Sequence, residues 1–292
     1  MKTRTVELVA SPKEPHFVGD GFRVHNFIPS GYRLDMQRVN PFILLDYNSP
    51  YKFPPSSQPK GVGVHPHRGF ETVTIAYKGK VEHHDSSGGG GVIGEGDVQW
   101  MTAASGVLHK EYHEREWSKS GGEFQMVQLW VNLPAKYKMS PPKYQAIKNK
   151  TIPRHVLEDN AGQIEVIAGA YKDVKGVAST FTPLHMMNAK LNKGGKADFE
   201  FPAHYNTVLL VLEGSIVING SEKTPTNHLA LMANDGENFT IEAGEDAVVL
   251  VLSGAPIDEP IAAHGPFVMN SKEELMEAFN DFNNGKFGYL ED

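Results

Sequence analysis

The stretch His65-Pro66-His67-Arg68-Gly69-Phe70-Glu71-Thr72-Val73-Thr74 decides how this chain is read. Its second half is rich in β-branched residues and reads as a strand. Side chains at i and i+2 of a strand point to one face, so His65 and His67 can aim both imidazoles at a single point. Farther along, His109-Lys110-Glu111 repeats the same spacing. Three imidazoles and a carboxylate on two strands are the ingredients of a mononuclear metal site.

Outward from that stretch, residues 65–133 read as successive hairpins. Glu71–Lys78 is a strand and Lys78-Gly79-Lys80 a turn. Val81–Asp85 then leads to Ser86-Ser87-Gly88-Gly89-Gly90-Gly91. Four glycines suggest a phosphate loop, but no Gly-Lys-Ser/Thr and no helix signal follow, so a flexible hairpin tip is the better reading. Val98–Thr102 and Phe124–Leu133 are further strands, with Glu114–Gly122 a polar loop. Upstream, Phe22–Ile28 and Pro41–Tyr47 read as strands, and the proline-rich 51–63 as a loop.

Lys136–Pro153, rich in Lys, Pro and Tyr, reads as a connection to a second β-rich half, where Ile216–Ile218 turns at Asn219-Gly220, a strong hairpin signal. Tyr77–Glu82 resembles Leu212–Val217. Aligned on Gly79 and Gly214, His65 and His67 fall opposite Glu200 and Pro202, so only the first half is expected to carry metal. Ser271-Lys272-Glu273-Glu274 is a capping box that opens a helix with Leu275, Ala278, Phe279 and Phe282 on one face. Gly285 or Gly288 ends it, and the helix is expected to dock on a sheet. The expected organisation is all-β: a metal-binding barrel over residues 1–135 and a second barrel without metal ligands over 136–292, which includes the C-terminal helix.

Composition narrows the function. The formal net charge of −7 and the absence of a Lys/Arg block give no support to direct nucleic-acid binding, while leaving room for a protein partner. With no cysteine, any metal must take nitrogen and oxygen donors. The charged N-terminus lacks a following apolar run, and Val208–Leu212 and Ala247–Leu252 are too short to span a bilayer. No membrane association is expected, and the expected location is cytoplasmic.

The remaining histidines, His25, His83, His84, His155, His185, His204, His228 and His264 among them, read as structural or exposed. His83 and His84 are adjacent, face opposite ways beside the glycine tip, and read as solvated. His113 shares the parity of His109 and Glu111 and is the nearest exception. Two glutamates, Glu71 and Glu111, have strand parity suited to a fourth ligand. Phe70, Trp100 and Met101 are candidates to line a pocket for a flat aromatic molecule, with a plain core role open to each.

His-x-His followed by Glu, with the distant Gly106-Val107-Leu108-His109, resembles the cupin superfamily of small jelly-roll barrels. The longer string from His65 to Val73 resembles the pirin family, as do Gly96–Ala103, Gly106–Glu111, Gln128–Pro134 and Gly265–Asn270. The resemblance covers nearly the whole chain. It implies two cupin-type barrels in tandem and a ligand set of His65, His67, His109 and Glu111. Glu71 is left either as a structural residue or as one that would orient an imidazole from behind. It favours Fe(II), with Mn, Co, Ni, Cu or Zn open on donor chemistry; a closed structural zinc site is the alternative. It also implies an oxidoreductase of the quercetin 2,3-dioxygenase type, acting on a flavonol with O2, with Glu111 as the base. The competing implication is a redox-responsive regulator of a transcription factor or metabolic enzyme.

Overall fold

The computed structural model describes residues 2–292. It is 52% strand and 10% helix. No helix among the described residues is long and apolar enough to cross a membrane.

The chain forms two compact units, and the division does not fall at one point. One unit comprises Met1–Lys13, Arg38–Pro41 and Lys150–Pro256; the other comprises Glu14–Gln37, Phe42–Asn149 and Ile257–Asp292. The expected cut at residue 135 is displaced for three physical reasons. First, the supposed connection is partly a strand: Lys143–Ile147 pairs with Val98–Thr102 and adds to the sheet of the histidine-bearing unit. Second, Val6–Ala10 pairs with Leu229–Met232 and joins the other unit. Third, the C-terminal helix belongs to the histidine-bearing unit. Phe267, Leu275, Ala278 and Phe287 cluster there with Leu108, and Asp281 pairs with Arg68 at 2.9 Å.

Each unit is built from one seven-stranded and one four-stranded antiparallel sheet with a two-stranded ribbon beside them, and neither closes into a hydrogen-bonded barrel. In the unit without the histidine pair, Val166, Met187, Leu209 and Val251 of the larger sheet meet Phe199, Ile216, Phe239 and Ile241 of the smaller one. That interior is mainly apolar, with Thr207 and Ser253 hydrogen-bonded to each other at one end. The turn at Asn219-Gly220 forms as expected, with φ of 51° and 71° joining Ser215–Ile218 to Glu222–Pro225.

In the histidine-bearing unit the four-stranded sheet carries Gly61–His67, Val107–His113, Val81–Asp85 and Gly90–Ile93. The seven-stranded sheet carries Phe70–Lys78, flanked by Val98–Thr102 and Gly122–Asn132. Phe22, Phe53, Phe124, Met126, Ala76 and Val81 fill one end of the space between them. The loop expected after residue 113 is a short helix, Arg115–Ser120, whose first amides are capped by the Glu114 carboxylate.

The C-terminal helix runs over Lys272–Asn283 with the capping box formed: the Ser271 hydroxyl accepts from the Glu274 amide. Gly285 follows at φ 71°, so the first of the two expected glycines ends it. Leu275 and Ala278 are buried and Phe279 partly so, while Phe282 is 36% exposed and lies at the rim of that face.

Candidate metal centre

The chain passes from the smaller sheet to the larger one between His67 and Phe70. Gly69 makes the crossing at φ 93°, and a Cβ there would stand 1.9 Å from the carbonyl oxygen of Val268. Only glycine fits that approach. Lys138 braces the crossing from below, its ammonium donating to the carbonyls of Gly69 (2.7 Å) and Val268 (2.9 Å) and to Asn132 Oδ1 (2.7 Å).

His65 stands directly across from His109 on the adjacent antiparallel strand, and Val107 directly across from His67. One ligand nitrogen from each of His65, His67 and His109 can be chosen so that all lie within 4.8 Å of one another. Two of the rings are oriented by backbone. His65 Nδ1 donates to the Gly63 carbonyl at 2.8 Å and His67 Nδ1 to the Pro266 carbonyl at 3.3 Å. Those bonds place the proton on Nδ1 and leave Nε2 of each ring as the ligand atom. Among the described residues neither nitrogen of His109 has a protein partner, although the residue is fully buried. Burial lowers the proton affinity of all three imidazoles, most strongly at His67 and His109. Three neutral, converging imidazoles, one with orphaned nitrogens, are a donor set that fits a transition-metal ion.

Glu111 is not in that cluster. The strand register shifts between His109 and Glu111. The Glu111 carboxylate instead accepts from Thr74 Oγ1 and Gln128 Nε2 of the larger sheet, each at 3.3 Å. Burial pushes its pKa up to about 7. It lies on the same strand face as His109, one pair of residues along.

Glu71 is on the other face of its sheet. Thr74 reaches Glu111, so the even-numbered positions of Phe70–Lys78 face the histidines and the odd ones face away. Glu71 accepts from Thr102 Oγ1 at 2.7 Å, and burial pushes it too up to about 7. Its reading as an orienting partner of a ligand imidazole is therefore corrected. The parity set by His65 and His67 does not carry across the change of sheet at Gly69. Trp100 pairs with Val73, away from the site, and takes the core role that was open to it, whereas Met101 pairs with Thr72 on the site face. Phe70 is also on the site face. Its ring stacks on Trp130 with centroids 4.2 Å apart, and His67 lies 5.1 Å from Phe70 and 5.2 Å from Trp130.

His113 serves the core, as Nε2 donates to the Gly21 carbonyl at 2.9 Å and Phe53 and Phe124 enclose the ring. His83 is buried, at 1% exposure, where solvation was expected; His84 is the exposed member of the pair. The structure adds Trp130, Gln128, Thr74, His83 and Tyr144 to the surroundings. A cleft of about 910 Å³ in the other unit is lined by Tyr171, Phe199 and Phe239 and by no histidine.

A two-sheet jelly roll defines a cupin, and its histidine triad on facing positions could hold a metal ion. The chain belongs to the pirin family: the pirin model matches residues 21–131 and the pirin C-terminal cupin domain matches 186–288. A Pseudomonas aeruginosa protein whose name provisionally gives it as a quercetin 2,3-dioxygenase is 50% identical over 93% of this chain and 94% of its own. A crystal structure named quercetin 2,3-dioxygenase, from Acinetobacter baumannii, superposes with a TM-score of 0.93 at 50% identity, covering 99% of this chain and 100% of that one. A bacterial pirin from Escherichia coli solved with nickel(II) shares the fold at 19% identity and a TM-score of 0.63, over 86% of this chain and 100% of its own.

Proposed function

We propose that the protein is a metal-dependent flavonol dioxygenase of the quercetin 2,3-dioxygenase type. The observation that carries this reading is the placement of a stacked aromatic pair, Phe70 and Trp130, against His67 of the converging triad. The 50% identity to proteins bearing that name supports it.

His65, His67 and His109 would hold the ion, two of them through Nε2. Bound there, a divalent ion supplies Lewis-acid polarisation and electron transfer toward O2. Fe(II) stands first on family resemblance, and the nitrogen donor set suits Mn, Co, Ni and Cu as well.

The chain's own residues do the rest. Trp130, the partly exposed member of the pair, would offer a flat face to an aromatic ring, with the buried Phe70 backing it. His65 is the only one of the three imidazoles that is not fully buried, so substrate would enter past it. Glu111, on the face of His109, would accept the proton of the flavonol 3-hydroxyl. A carboxylate whose proton affinity sits near neutrality can take that proton and later return it. Thr74 and Gln128 hold it for that role. The Phe22, Phe53 and Phe124 cluster closes the far end against bulk water. Loss of quercetin absorbance on aerobic incubation with the metal-loaded protein tests the reading.

A further inference from the structure

His83 and Gln99 have no task in the mechanism above. His83 stands directly across from Glu111 on the adjoining strand. Gln99 stands directly across from Thr74, whose hydroxyl bonds Glu111 from the opposite sheet. Directly opposed residues share a face, so both side chains lie at the level of Glu111, one from each sheet. Each residue is 1% exposed. Among the described residues no protein group pairs with either ring nitrogen of His83 or with the amide nitrogen or oxygen of Gln99. One level nearer the triad, Asp85 Oδ2 and Thr72 Oγ1 are unpartnered as well.

Leaving a buried polar group unpaired costs about 1–3 kcal/mol, so a set of such groups on one face marks a place for a polar occupant. The flanking levels confine it, with Phe70 and Trp130 on one side and Val81, Ala76 and Met126 on the other. The Tyr144 ring packs against the His83 imidazole with centroids 4.7 Å apart.

The chemistry of the occupant follows from the inventory. A neutral imidazole offers one donor and one acceptor, and a primary amide offers both. A hydroxyl gives and takes a hydrogen bond in the same way. An anion is opposed by the acceptor oxygens of Asp85 and Glu111, while an ammonium group cannot use the His83 or Gln99 donors. The matching occupant is a neutral hydroxyl group, whether of a bound ligand or of water.

We propose that His83 and Gln99 form a hydroxyl-reading subsite that engages ring hydroxyls of the substrate and selects polyhydroxylated flavonols. The proposal rests on the flavonol reading of the site. A pocket built to bond a hydroxyl rejects the analogue that lacks it far more strongly than an apolar pocket does.

The test compares quercetin with 3-hydroxyflavone, which keeps the 3-hydroxyl and lacks the rest. Binding to the metal-loaded full chain is followed by quenching of tryptophan fluorescence. The expected result is tighter binding of quercetin by about tenfold or more, with the ratio falling about tenfold in His83→Leu and in Gln99→Met. His83→Gln, which retains a donor and an acceptor, recovers part of the ratio and covers the case in which His83→Leu does not fold. Metal content is measured in each variant. If the wild type binds both flavonols and the variants leave the ratio unchanged, the subsite holds water alone and the proposal is overturned while the flavonol reading stands. If the wild type binds neither, both are overturned.

Discussion

His65 and His109 face each other across two adjacent antiparallel strands, with ring centroids 4.2 Å apart. His67, two residues on from His65, brings its ring to 4.7 Å from His109. The triad is thus a product of strand register, with its imidazoles carried on paired strands.

Replacing His67 or His109 by Ala removes one of three converging donors. Metal content should fall from about one ion per chain to a small fraction of that in either variant. Elemental analysis after gel filtration reads this directly, with circular dichroism to show that the sheets persist. Undiminished metal in both variants would contradict the triad assignment.

Glu111→Gln keeps an acceptor for Thr74 and Gln128 and removes the base. Turnover of a flavonol should drop by about 10²–10⁴-fold, the usual contribution of a positioned general base. Stopped-flow absorbance measures it. A variant with wild-type turnover would transfer the proton-accepting role elsewhere.

Glu71 gives a stability prediction independent of metal. Its folded pKa of about 7 exceeds the ordinary value of 4.5, so the native state binds more protons than the unfolded one between those values. Stability contributed by this position is therefore full below pH 4.5 and declines as pH rises to about 7. The difference corresponds to roughly 3 kcal/mol at most. Glu71→Gln still accepts from Thr102 and lacks the ionisation. It should melt higher than wild type at pH 8 and close to it at pH 5. Equal melting temperatures at pH 8 would show that burial does not disfavour this carboxylate.

The choice between the two roles open to Glu71 shows where sequence reasoning stops. Parity along one strand was legible, and it placed His65 with His67 and His109 on a common face with Glu111. The change of sheet at Gly69 was not, because the need for glycine there comes from the carbonyl of Val268, distant in sequence. Trp100 and its neighbour Met101 point to opposite faces, and the pairing of Met101 with Thr72 decides which of them faces the histidines. His83 was read as solvated because the adjacent pair His83-His84 does not say which member faces in; register against Glu111 does. Tyr144 lay in a segment read as a connection, since Lys and Pro there outweighed a short strand that gains its stability only by pairing with Val98–Thr102. The helix, by contrast, was legible to its cap, because Ser271 and Glu274 satisfy each other locally.

Lys138 holds three acceptors around the crossing that follows His67. Lys138→Met leaves two buried carbonyls unpaired and should cost about 3 kcal/mol or more in a denaturant melt. Because Gly69 lies between His67 and Phe70, metal affinity should weaken about tenfold in the folded variant, in line with loss of a supporting contact behind a ligand. Unchanged affinity would confine Lys138 to a purely structural part.

The central claim is catalytic, and one measurement meets it most directly. The protein is loaded separately with Fe(II), Mn, Co, Ni or Cu, its metal content is verified, and it is incubated aerobically with quercetin. Absorbance and released carbon monoxide are followed together. The account predicts bleaching of the flavonol with stoichiometric carbon monoxide for at least one metal, and none in the His109→Ala variant. Absence of turnover with every metal, in protein shown to be loaded, would contradict it.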